Sequence, residues 1–301
     1  MRIAERLRPA FQCGMDLPLA ETPPFVVDRP ADRLAPIVFV SAHSGQDYPP
    51  DLLAGARLDA LALRRSEDSF VDELFAAAPS LGAPLLRATF ARAYCDANRE
   101  AWELDPAMFH EKLPDWVNTR SARVTAGLGT IARVVASGEA IYRDKLSFTD
   151  AEQRVRSLWQ PFHAALAALI EETRAAFGAC LIVDCHSMPA SSLTPRGSAD
   201  VVLGDAHGAA CGPGVVRAAE QALGDLGYRV RRNEPYAGGY ITRHYGRPRE
   251  HVHAVQIELA RGLYMNEATM TRADGFARVR RDMTTLIERL AAATALLLVP
   301  P

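Results

Sequence analysis

The chain alternates short apolar runs with longer segments in which apolar residues recur every three or four positions. Ile37-Val38-Phe39-Val40 and Cys180-Leu181-Ile182-Val183 are unbroken apolar runs, the pattern of strands buried on both faces of a parallel sheet. Pro84 to Phe90, Val201 to Leu203, Tyr228-Arg229-Val230 and the partly alternating Val252 to Leu259 predict further strands. Helical spacing runs from Ser69 to Ala78, with Phe70, Leu74 and Phe75 on one face. The clearest helix opens at the capping box Thr149-Asp150-Ala151-Glu152 and runs to Phe177, with Gly178 as its C-terminal cap. Pro213 to Leu226, closed by Gly227, and Asn266 to Leu297 predict two more helices. Strands alternating with helices predict an α/β fold, a single domain with a mixed, mostly parallel sheet flanked by helices. Residues 1–35 are Pro-rich and irregular and read as an arm packed on a domain of residues 36–301.

Soon after each unbroken run comes a histidine, His43 and His186. Open α/β sheets hold ligands just beyond the carboxyl ends of their strands, so the pair points to a metal site, and with a metal to a hydrolase. A catalytic zinc usually takes about three protein ligands and leaves one position for water. Gln46, three residues after His43, is no anionic ligand, so the third must come from elsewhere. Arg64-Arg65-Ser66-Glu67-Asp68-Ser69-Phe70 offers two adjacent acids, of which only one can face a given point. Asp68 is the choice over Glu67, against the plainer reading that both acids favour the positive end of a helix. His43 alone also reads as a satisfied histidine in a turn with Ser44 and Gly45. His186 has Asp184 and Ser187 beside it, partners of the kind metal-bound histidines use. Strand alternation turns Cys185 away from it, into the core.

Glu258 lies in the strand-like Val255-Gln256-Ile257-Glu258-Leu259. Either it faces solvent with Gln256, or it is buried with a raised pKa and can move a proton. Arg92, Asn98, Arg99, Arg243 and Arg261 fall in predicted loops or just past strands. Guanidinium forks suit carboxylates, so a cluster of them implies an acidic substrate, although each alone reads as a surface ion-pair partner. Tyr236 to Gly246, dense in Gly and Tyr, reads as a shaped loop. His110, His163 and His207 read as structural or exposed. His244, His251 and His253 lack the geometry of a second metal site.

Composition narrows the classes. Of 301 residues, 49% are hydrophobic and 23% charged, as in an ordinary soluble globular protein. A formal charge of -2 makes no electrostatic case for nucleic acid or anionic membrane. Leu290 to Val299 is too short to span a bilayer. The N-terminus, with Arg2, Glu5, Arg6 and Arg8, lacks the apolar core of a signal peptide. Five scattered cysteines without a CxxC pair fit reduced thiols. The expectation is a cytoplasmic protein, monomeric or a small homo-oligomer.

Five blocks in order carry a family resemblance. They are Ser41-Ala42-His43-Ser44-Gly45 with Tyr48-Pro49, then Glu67 to Leu74, Arg92 to Glu100, Asp184 to Pro189, and Gln256 to Met265. Together they resemble the N-formylglutamate amidohydrolases over residues 36 to 290. The resemblance implies a zinc-carboxypeptidase-like (phosphorylase/hydrolase-like) fold and one zinc ion held by His43, Asp68 and His186. It implies Glu258 as general acid/base and Arg92 at the developing oxyanion. It further implies that Asn98, Arg99, Arg243 and Arg261 bind substrate carboxylates. The implied reaction is hydrolysis of N-formyl-L-glutamate to formate and L-glutamate, in histidine degradation. Another small N-acyl acidic amino acid is the alternative substrate. Carboxypeptidases use a His-x-x-Glu pair where this chain has Gln46, so its third ligand departs from their pattern.

Overall fold

The computed structural model describes residues 23–135, 137–190 and 199–298. Most of the expected arm, residues 1–22, lies outside the described residues, as does Val299. Seven strands form the main sheet: β1 Phe25–Asp28, β2 Ile37–Ser41, β3 Leu85–Ala88, β4 Cys180–Met188, β5 Val201–Gly204, β6 Val230–Arg232 and β7 Val252–Ala260. Their order is β1-β3-β2-β4-β7-β5-β6. The four central strands, β3, β2, β4 and β7, run parallel. β1 and β5 join them antiparallel, and β6 follows β5 in parallel. The sheet is therefore mixed and mostly parallel, as the apolar runs predict.

Two-residue alternation sorts the central strands into two faces. Ile37, Phe39, Leu181, Val183, Cys185, Val255, Ile257 and Leu259 enter one core, together with residues of the helices Pro213–Asp225 and Phe276–Leu297. Val38, Val40, Cys180, Ile182, Val252 and Ala254 enter the other, against the helix Gln160–Phe177. On this second face the apolar residues give way to polar ones toward the carboxyl ends. Asp184 and His186 follow Ile182 in β4, and Gln256 and Glu258 follow Ala254 in β7. The register sets Asp184 beside Gln256 and His186 beside Glu258. All nine residues of each strand are buried, so these side chains are polar groups inside the molecule that need partners.

Several elements differ locally from expectation. The helix expected over Ser69 to Ala78 is only Val71–Leu74; it starts after Phe70, left-handed at φ 67°, and the Ser44 hydroxyl accepts from the Asp72 amide at 3.2 Å. The N-cap of the long helix is Ser147, not Thr149; its hydroxyl accepts from Asp150 N at 3.1 Å. That helix passes through a π-helical stretch at Val155–Trp159 before continuing to Phe177. The final helix begins at Phe276, ten residues later than expected, since Met265–Asn266 pairs with Thr271–Arg272 in a small hairpin. Tyr236 to Gly246 is only partly a loop, because Tyr240–Tyr245 is helical. Phe25–Asp28, within the stretch read as an irregular arm, is the edge strand β1. The strand expected around residues 228–230 is Val230–Arg232.

Candidate functional site

His43 sits just past β2, and the loop carrying Asp68 is pinned to it. Asp68 N donates to His43 O at 3.0 Å, and the Ser44 hydroxyl donates to Asp68 O at 3.0 Å. Gly45 allows the β2 loop this position, because a Cβ there would collide with the backbone of Thr89 and Phe90. His186 comes from β4. One ligand atom from each of His43, Asp68 and His186 lies within 4.8 Å of the others, and all three residues are buried.

The surroundings aim these atoms at one another. His43 Nε2 lies 2.7 Å from Asp96 Oδ1, and His186 Nε2 lies 2.7 Å from Asp184 Oδ1. A ring whose Nε2–H donates to a carboxylate presents an unprotonated, more basic Nδ1. Both Nδ1 atoms face Asp68 Oδ2, at 3.3 and 2.8 Å. The other oxygen, Asp68 Oδ1, is already occupied, accepting from Ser187 Oγ at 3.0 Å and Arg261 Nη2 at 3.2 Å. Two imidazole nitrogens and a carboxylate oxygen thus converge as acceptors, a donor set that fits a divalent cation such as zinc. The carboxylates around His186 favour the charged form of its ring. Burial opposes it, but Asp184 and Asp68 raise the His186 pKa well above the usual imidazole value. Burial likewise disfavours the Asp68 carboxylate, and hydrogen bonds from His186 and His43 outweigh it and hold that carboxyl well below its usual range.

Glu67, the alternative ligand, is consumed elsewhere. It is fully buried and accepts from Tyr48 Oη at 2.7 Å, Ser69 Oγ at 2.5 Å and Arg64 Nε at 3.0 Å. Gln46 is exposed. Cys185 lies in the core on the opposite face, as alternation predicts. His163 is structural: its ring bonds Ala97 O and Tyr245 Oη at 2.8 and 2.9 Å. No metal-ligand cluster includes His244, His251 or His253 among the described residues.

The three converging residues open onto a cavity of about 350 Å³, also lined by Arg92, Asn98, Arg99, Arg243, Glu258 and Arg261. The structure thus brings the three candidate ligands, Glu258, Asn98 and the four candidate arginines into the lining of one cavity. Glu258 is 5% exposed rather than solvent-facing, and Gln256 Nε2 donates to its Oε1 at 2.6 Å. Burial pushes its carboxyl up to about 7, with His186 opposing and Asp68 adding to the rise. Gln256 Oε1 also accepts from Gly239 N at 2.7 Å, tying the loop before the Tyr240 helix to β7.

The arginines divide by their partners. Among the described residues Arg92 gives only Nε to Asp96, at 3.0 Å, and Arg243 gives only Nε to Gly238 O, at 3.1 Å, which leaves their terminal nitrogens for a ligand. Arg261, expected at a substrate carboxylate, is instead committed to protein acceptors: Ser187 Oγ, Arg65 O, Glu67 O and Asp68 Oδ1. Its buried guanidinium holds the Asp68 loop in place. Asn98, expected in the same role, donates to Asp184 Oδ2 at 3.2 Å and accepts from Ile241 N at 2.8 Å, so it braces the His186 partner. Arg99 is held by Leu128 O through Nε and by Asn98 O through Nη1. Trp159, presented by the π-helical stretch, donates to Arg99 O at 2.9 Å.

Sequence reading gave Asp96 no role, and it passed over Arg123, another cavity residue. Asp96 could have been found as the acid between Arg92 and Arg99. Burial would raise its pKa, but Arg99, His43 and Arg92 hold it well below the usual carboxylate range. Arg123, on a short helix outside every motif, carried no signal.

A buried ligand set and a basic-lined cavity at the carboxyl ends of parallel strands define an α/β enzyme with the layout of a hydrolase. The chain belongs to the N-formylglutamate amidohydrolase family, whose model matches residues 35–265. It is 32% identical over 265 residues to the N-formylglutamate deformylase of Pseudomonas aeruginosa, covering 85% of this chain and 93% of that protein. To the N-formylglutamate deformylase of Pseudomonas putida it is 29% identical over 237 residues, covering 77% and 82%. The crystal structure of N-formylglutamate amidohydrolase from Ralstonia eutropha superposes with a TM-score of 0.85 at 38% identity, covering 90% of this chain and 98% of that one. Among the described residues no helix is long and apolar enough to cross a membrane.

Proposed function

We propose that this protein hydrolyses N-formyl-L-glutamate to formate and L-glutamate, with one zinc ion held by His43 Nδ1, Asp68 Oδ2 and His186 Nδ1. The observation that carries the reading is the convergence of these three acceptors, each held from behind by a buried partner, next to a buried glutamate and a cavity rich in arginine. The deformylase relatives direct it to an N-formyl amino acid. A divalent ion bound there supplies Lewis acidity and lowers the pKa of water.

Glu258 is the general base that takes the proton from the attacking water. A carboxyl raised by burial toward neutrality can both accept that proton and return it to the departing amine. Arg92 presents its free nitrogens to the oxygen that gains charge in the tetrahedral state, and its Asp96 contact fixes its direction. Arg243 and Arg99 attract the substrate carboxylates, while Asn98 and Arg261 position the site. The proposed setting, which the family resemblance implies, is the cytoplasm and the last step of one histidine-degradation route.

The direct test is formate release from N-formyl-L-glutamate. It is abolished by a chelator and restored by zinc; turnover indifferent to chelation sinks the metal assignment. Glu258→Gln keeps the metal by elemental analysis while kcat falls on the order of a thousandfold. Retained turnover in that variant removes Glu258 from the mechanism.

A further inference from the structure

Arg123 lines the same cavity as Glu258 and the three candidate ligands. It sits on the short helix Ala122–Thr125, opened by the Ser121 hydroxyl accepting from Val124 N at 3.1 Å. Leu128 ties this turn to Arg99. Its amide donates to Arg123 O at 2.8 Å, and its carbonyl accepts from Arg99 Nε at 2.8 Å. Leu128 thereby links two guanidinium-bearing residues of the cavity lining, Arg99 buried and Arg123 exposed.

Their partners are unequal. Arg99 has Asp96 within 3.7 Å, whereas the Arg123 guanidinium has no acid or hydrogen-bond acceptor among the described residues. Burial pushes the Arg99 guanidinium down to about 10 against the pull of Asp96, and repulsion from Arg92 and Arg123 adds to the fall. A wall with excess positive charge and one unengaged planar fork is satisfied by a carboxylate, which the fork meets with two parallel hydrogen bonds. Arg92 is turned to Asp96, and Arg261 to the Asp68 loop.

We propose that Arg123, together with Arg99, receives the side-chain carboxylate of the N-formyl amino acid and sets the preference for acidic over neutral substrates. This rests on the hydrolytic reading above and adds to it a specificity residue. The experiment compares N-formyl-L-glutamate with its neutral isostere N-formyl-L-glutamine, in the zinc-loaded wild type, Arg123→Gln and Arg123→Lys. In Arg123→Gln the ratio of kcat/KM for the two substrates falls about tenfold through a higher KM for the acidic one, the scale of one lost charge-assisted contact. Arg123→Lys, which keeps the charge but not the fork, falls between. A ratio unchanged in Arg123→Gln, or equal loss on both substrates, overturns the assignment. If the wild type hydrolyses neither compound, the reaction reading fails. Arg123 is then judged by calorimetric binding of L-glutamate against L-glutamine, and a wild type without that selectivity, or a selectivity that survives Arg123→Gln, overturns it.

Discussion

Two groups of buried histidine lie on the same side of the sheet and have opposite chemistry. His43 and His186 each lean on a buried aspartate through Nε2 and turn Nδ1 toward Asp68. His163 leans on the Ala97 carbonyl through Nε2, and its Nδ1 meets the Tyr245 hydroxyl. Its ring stacks on Trp159 at 3.8 Å between centroids. Among the described residues no carboxylate hydrogen-bonds to it, and burial pushes its pKa down to about 4. The His186 pKa is held well above normal although that ring is as deeply buried, since Asp184 and Asp68 outweigh desolvation. Burial does not decide what a histidine does. The group behind the ring does: a carboxylate raises basicity at the other nitrogen, whereas a carbonyl and a phenol together use both nitrogens and leave no lone pair for a metal.

That contrast can be broken in graded steps. The largest effect comes from His186→Ala, which removes a ligand: metal content by elemental analysis and formate release both fall to background while circular dichroism stays folded. Asp184→Asn keeps the ligand but weakens the group behind it, and metal affinity drops about 10- to 100-fold in competition with a chelator. Equal affinity in that variant erases the distinction drawn between the two groups.

His163→Gln is the mildest. It leaves metal content unchanged and costs about 1–3 kcal/mol in urea unfolding at neutral pH, the scale of a disturbed buried hydrogen bond. The pH dependence follows from a folded pKa below the unfolded one. Between pH 6.5 and 4 the unfolded chain takes up a proton that the folded His163 refuses, so acidification across that window costs the wild type stability. The variant lacks this cost. The stability gap between wild type and His163→Gln therefore narrows by about 1–2 kcal/mol from pH 7 to pH 5, and a constant gap shows that His163 titrates normally.

How legible each position was depended on how local its cause is. The long helix ending at Phe177 was readable, because Gly178 at φ 76° closes it as C-cap glycines do. Its start was misplaced by two residues because Ser147 and Thr149 are both competent caps, and which one meets an amide depends on how the chain enters the turn. The start of the helix at Val71 has a nonlocal part, since Ser44, from a distant loop, accepts from the Asp72 amide. Asp68 and Glu67 were equivalent as neighbours in sequence. Tyr48, Ser69 and Arg64 took Glu67, while Ser187 and Arg261 turned Asp68 toward the histidines.

The sequence by itself determined the two central strands β2 and β4, because a strand buried on both faces shows as an unbroken apolar run. Period-two alternation paired Asp184 with His186 on one face of β4 and Gln256 with Glu258 on one face of β7, but only the register between the two strands put both pairs on the same side. The sequence also pointed to the metal pair, because strand ends are where α/β sheets hold ligands. Only the tertiary structure decided which acid completes that pair, which arginines keep free nitrogens, and that Arg123 belongs to the cavity at all. Those outcomes depend on hydrogen-bond partners brought from remote segments, and a donor or acceptor, once engaged, is no longer available to a ligand.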